Sequence, residues 1–124
     1  MHTYSTIVME EIHGSKCAFF KLKENDRCFF DEFENEMTEN NMNELKKIIA
    51  LMDLHANGYL LPLEKFRNIK DKKYPEIFWE FKTKHLRVYT VCIDKGKVVI
   101  IGGTKNTQVK DIKRFKRIAI EFLD

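Results

Sequence analysis

The 124 residues include 44% hydrophobic and 33% charged side chains, with five Gly and two Pro. That length reads as one domain spanning 1–124, and the composition excludes a disordered, collagenous or linker-type chain. The net charge of +3 conceals an asymmetry, because residues 82–124 hold 11 Lys and Arg against four Asp and Glu; a basic face for a polyanionic partner is implied.

In chain order, Thr6–Ile12 and Cys17–Leu22 read as a β-hairpin turning at His13–Gly14–Ser15–Lys16. Asp26 is placed to cap a short helix through Cys28–Glu34, within about 26–37. From Glu39 to Asn57 the residues Met42, Leu45, Ile48, Ile49, Met52 and Ala56 recur at helical spacing, and Gly58 ends the run. Residues 59–75 read as an irregular connection with a helical turn around Leu63–Phe66. Ile77–Lys82, His85–Cys92 and Val98–Ile101 then form an antiparallel meander. Gln108–Leu123 closes the chain as a helix, with Ile112, Phe115, Ala119 and Phe122 on one face and Lys110, Lys113, Arg114 and Arg117 as a stripe on the other. The class is α+β, with all three helices packed on one antiparallel sheet.

No apolar run approaches the roughly 18–20 residues of a membrane span, and no basic-then-apolar leader opens the chain, so a cytoplasmic location without membrane contact is expected. Cys17, Cys28 and Cys92 are odd in number and fit no metal or disulfide spacing. His2, His13 and His55 also lack ligand spacing, so neither a metal nor a cofactor is expected.

A two-residue loop at Thr83–Lys84 would set Lys82 opposite His85 and Glu80 opposite Arg87. Glu80, Lys82, His85, Arg87 and Tyr89 would then share a solvent-facing sheet surface, with Leu86 and Val88 turned inward. Such a set suits metal-free RNA cleavage by the 2′-OH, in which a base takes the hydroxyl proton and cations stabilise the phosphorane. The plainer alternative is a Glu80–Arg87 ion pair, an edge-of-core Tyr89 and an exposed bystander at His85. Gly102–Gly103–Thr104–Lys105 would let a phosphate approach the backbone but lacks the P-loop spacing, so it is read as a strand end that sets Lys105 beside the basic face. Trp79 reads as a core anchor.

The stretches Phe78–Lys82, His85–Tyr89 and Lys97–Lys105, followed by the basic helix, resemble the RelE/HigB superfamily of toxin–antitoxin toxins, in particular its phage-derived HigB-like branch. The resemblance spans about residues 39–122 and is most specific over 78–117. It implies a small microbial RNase fold that cleaves mRNA on the ribosome without a metal until a cognate antitoxin neutralises it. It also implies that Arg87 contacts the scissile phosphate, assisted by Lys82 and Lys105. Lys84, Lys110, Lys113, Arg114 and Arg117 are the candidate RNA-binding residues. Many members carry a Tyr or His near the C-terminus, whereas this sequence reads Ile120–Asp124 there. Proton transfer would thus fall to His85 or Tyr89, or activity would be weak or absent. A ParE-like gyrase inhibitor, an inactive toxin-fold binding module and a phage or mobile-element structural protein are the alternatives.

Overall fold

A computed structural model describes residues 2–124. Its elements are β1 (Tyr4–Val8), β2 (Ala18–Glu24), α1 (Phe29–Asn35), α2 (Glu39–Ala56), β3 (Phe66–Asn68), β4 (Phe78–Lys82), β5 (Leu86–Ile93), β6 (Gly96–Thr104) and α3 (Gln108–Leu123). The strands form one sheet in the order β1-β2-β6-β5-β4-β3. The class is α+β, but the sheet is mixed: β2 runs parallel to β6, while every other neighbouring pair is antiparallel. No described helix is long and apolar enough to cross a membrane.

Where sequence periodicity is strong, the elements fall as expected. Thr38 caps α2 by accepting from the Asn41 amide at 3.3 Å, and Gly58, at φ +90°, supplies the left-handed residue just beyond it. The helix α1 starts instead at a Cys28 cap, without a side-chain cap bond, because Asp26 lies inside the tight turn that bridges Glu24 to Arg27.

The N-terminal hairpin exists, yet its connection runs from residue 9 to residue 17 and docks on the end of α2. The amides of His13 and Gly14 donate to Asp53 Oδ1 at 2.6 and 3.2 Å, and the Lys16 amide donates to the Ala56 carbonyl at 2.9 Å. Gly14 is needed for close approach there, since a Cβ would overlap Ala56. The turn expected around Leu63–Phe66 is present as a single hydrogen-bonded turn, with the Lys65 and Phe66 amides both donating to the Pro62 carbonyl, and it leads directly into the unexpected strand β3, whose Phe66 pairs with Phe81.

Helices cover both faces of the sheet, so the surface of Glu80, Arg87 and Tyr89, expected to face solvent, is covered. Leu45, Ile48, Met52 and Ala56 of α2 pack on Phe81, Leu86, Val88 and Val99. Phe115, Ile118 and Ala119 of α3 pack on Phe78, Tyr89, Val91, Val98 and Ile100. Phe115 stacks on Tyr89 at 5.4 Å between centroids and meets Phe78 edge-on at 5.4 Å. A register shift after Tyr89 leaves Ile100 as the extra residue of β6, so Ile100 and Ile101 both enter the α3-side core.

The paired glycines of β6 serve this packing. The strand runs through them and ends at Thr104, just before Lys105, and both glycines make room for protein groups. A Cβ at Gly102 would overlap the Phe33 ring of α1, and one at Gly103 would overlap the Asp111 carboxylate of α3. Gly102→Ala and Gly103→Ala are each expected to cost about 1–3 kcal/mol through overpacking, read as a lowered midpoint in thermal melts.

Candidate functional site

The turn between β4 and β5 is set by a residue distant in sequence. Glu44, in the second turn of α2, places one carboxylate oxygen against the Thr83 hydroxyl, the His85 amide (2.5 Å) and the Leu86 amide (3.1 Å). Its other oxygen lies 3.0 Å from His85 Nδ1. Burial alone would raise the Glu44 carboxyl, but these donors outweigh it and hold the group at about 2. The turn closes with the Thr83 amide donating to the Leu86 carbonyl, which centres it on Lys84–His85 instead of Thr83–Lys84. Lys82 therefore pairs with Arg87 and Glu80 with Tyr89. This register differs from the expected one by two residues, so the alternation of faces survives while every partner changes.

His85 leaves the Arg87–Tyr89 face and turns toward α2. Its side chain remains 61% exposed while that of Glu44 is 14% exposed. A carboxylate on Nδ1 fixes the ring and selects the tautomer that leaves Nε2 as a proton acceptor facing solvent. The two residues border a cleft of about 390 Å³, also lined by Lys47, Lys65 and Lys84. Lys105 follows closely, because its amide donates to the His85 carbonyl at 2.8 Å. Lys82 is tied by its amide to the Lys65 carbonyl, also at 2.8 Å. The fold thus gathers an oriented imidazole with Lys47, Lys65 and Lys84 at one cleft, while Lys82 and Lys105 are held near the hairpin tip by their backbone and do not line that cleft.

Other candidates lie elsewhere. Arg87 is 6% exposed, not on a solvent face, because α3 covers that side of the sheet. Its Nη1 donates to the carbonyls of Thr83 (2.6 Å) and Leu86 (2.9 Å), so it braces the turn from beneath. Tyr89 is fully buried against Phe115, and burial, followed by the nearby Glu80 and Asp111 charges, pushes its phenol well above the usual range. Neither its hydroxyl nor Arg87 Nε has a hydrogen-bond partner among the described residues. Glu80 is fully buried too, and its ion pair is with Arg67 Nε of β3 at 2.6 Å, not with Arg87. Gln108, at the start of α3, donates to the same carboxylate at 3.2 Å. Lys84 and the α3 stripe of Lys110, Lys113, Arg114 and Arg117 are exposed as expected. Arg114 lies over the Phe29 ring at 4.8 Å.

Glu44, Lys47 and Lys65 are the site residues that the sequence reading misses. Glu44 and Lys47 sit on the polar face of a helix whose apolar spacing reports only its buried side, and Lys65 lies in the irregular connection. Compared with known proteins, the chain matches no family model, no curated protein and no solved structure.

The carboxylate clasp makes stability depend on acid. Glu44 has an ordinary value of 4.5 and falls to about 2 in the fold, so its contribution is complete above about pH 5 and is lost as the pH falls toward 2. The shift corresponds to about 3 kcal/mol. Glu44→Gln is expected to lose most of this at neutral pH and to flatten the decline between pH 5 and 2, measured by urea unfolding across pH. Arg87→Ala should also destabilise, by roughly 1.5–3 kcal/mol for each charged hydrogen bond removed, which the same unfolding series would register.

Proposed function

We propose that this chain is a toxin of the RelE/HigB type, acting as a ribosome-dependent, metal-independent mRNA endoribonuclease with His85 as its proton-transfer residue. The observation that carries the reading is the Glu44–His85 pair opening on a cleft lined by Lys47, Lys65 and Lys84. In this scheme His85 Nε2 takes the proton from a ribose 2′-OH. The 2′-oxygen bonds to phosphorus, the bond to the 5′-oxygen breaks, and that oxygen leaves with a proton from a lysine ammonium at the rim. The products are a 2′,3′-cyclic phosphate and a 5′-OH end. Lysine charges offset the negative charge gathering on the phosphorane, while the α3 stripe binds the ribosomal RNA backbone in a salt-dependent way. The reading carries a cytoplasmic location and a cognate antitoxin as partner.

Burial of Arg87 and Tyr89 favours a second reading, a toxin-fold module that binds RNA or protein without cleaving. It removes the phosphate-contacting arginine and the phenol from the exposed surface but keeps the basic stripe. The two readings separate on His85, whose exposed ring can be replaced with little structural cost. Wild type and His85→Ala would be expressed from an inducible promoter, with growth and RNA 5′ ends recorded. Loss of one general base typically costs about 100–10,000-fold in rate. His85→Ala should therefore relieve growth arrest and erase the new RNA ends while melting near the wild-type temperature. Arrest by wild type without new RNA ends, or undiminished cleavage by His85→Ala, would overturn the catalytic reading.

A further inference from the structure

At the edge of the sheet away from the His85 cleft, three side chains distant in sequence converge. His2 precedes β1, Glu24 ends β2, and Glu121 lies in the last turns of α3. One ligand atom from each lies within 4.8 Å of the other two, and His2 Nδ1 is 2.8 Å from Glu24 Oε1. The Tyr4 hydroxyl sits between the two carboxylates, 3.2 Å from Glu24 Oε1 and 2.7 Å from Glu121 Oε2. A phenol has one proton, so it can donate fully to only one of them at a time. Arg117 approaches only the other oxygen of Glu121, at 3.8 Å, so the inner side of the cluster sets two carboxylates against a single imidazole.

We infer that His2, Glu24 and Glu121 form a site for a borderline divalent cation of the Zn2+ or Co2+ class. One imidazole nitrogen and two carboxylate oxygens make a donor set that zinc accepts, at bond lengths of about 2.0–2.2 Å, with a fourth position for water. Tetrahedral ligands at those lengths stand about 3.3–3.6 Å apart, so the three atoms need shifts on the order of 1 Å to close on an ion. The cation would offset the two carboxylates and join the segment entering β1, the end of β2 and the C-terminal helix. Tyr4 would serve as the outer partner of Glu121, to which its hydroxyl donates at 2.7 Å, as hydrogen-bonded second partners commonly do. Because it lies apart from the His85 cleft, the site would act as a structural clamp and does not rest on the ribonuclease reading.

The test uses the tag-free 124-residue chain, with Zn2+ titrated by calorimetry, Co2+ by visible absorption, and thermal melts with and without Zn2+. The expected result is about one equivalent of Zn2+, a tetrahedral Co2+ spectrum and a melting temperature raised by the metal. His2→Ala and Glu121→Gln should each weaken binding by more than the roughly 10–100-fold typical of losing an outer partner, and should abolish the thermal shift. His13→Ala, which removes an unrelated surface histidine, should change neither. No saturable binding by wild type, binding retained in both ligand variants, or equal loss in His13→Ala would overturn the assignment.

Discussion

The hold of Glu44 on the hairpin tip is the interaction on which the arrangement of the site depends. A single carboxylate from α2 satisfies two backbone amides, a hydroxyl and an imidazole at once. In doing so it chooses which two residues form the turn, and through the turn it chooses the β4–β5 register. The register then decides that Lys82 faces Arg87 and that Glu80 faces Tyr89. Arg87 completes the arrangement from the opposite face by donating to two carbonyls of the same turn. An anion above and a cation below thus fix a tip that would otherwise have only its own short ladder to define it.

The same geometry explains why charged residues lie deep in this small protein. Glu80 is buried, but it receives Arg67 from the neighbouring strand and Gln108 from the start of α3. Leaving such a carboxylate unpaired would cost several kcal/mol; paired, it ties β3, β4 and α3 into one corner. Asp111 occupies the space left by the absent side chain of Gly103 and accepts from Thr107. The polar residues under α3 therefore form a structural layer, while the residues free to meet a ligand lie at the hairpin tip and on the outer stripe of the helix.

What was legible in the sequence follows the range of the interactions. The helices α2 and α3 and the meander strands could be read because their signals are local: apolar spacing, a terminating glycine, β-branched runs. Strand β3 is three residues long and takes its identity from pairing with β4, so no local pattern announces it. The parallel β2–β6 contact and the long docked connection at Gly14 likewise depend on distant partners. At the site, alternation correctly grouped Glu80, Lys82, Arg87 and Tyr89 on one face. It could not say that α3 covers that face, so Arg87 and Tyr89 were expected in solvent. His85 and Lys84 were legible because they mark the turn, whereas Glu44 is some forty residues away and emerges only once α2 is docked.

The parallel pairing of β2 with β6 also imposes an order in time. The N-terminal hairpin meets the rest of the sheet through Ala18–Lys21 against Gly96–Val99, with both central helices and three strands lying between in the chain. At biosynthetic speeds of about 5–20 residues per second, β2 waits on the order of 4–16 s for its neighbour to be made. During that interval Phe19 and Leu22, later sealed in separate halves of the core, have no sheet to enter. The meander and α2, whose contacts are closer in sequence, can organise first and offer the edge of β6 as a template. The earliest part of the fold to be synthesised is therefore among the last to be secured.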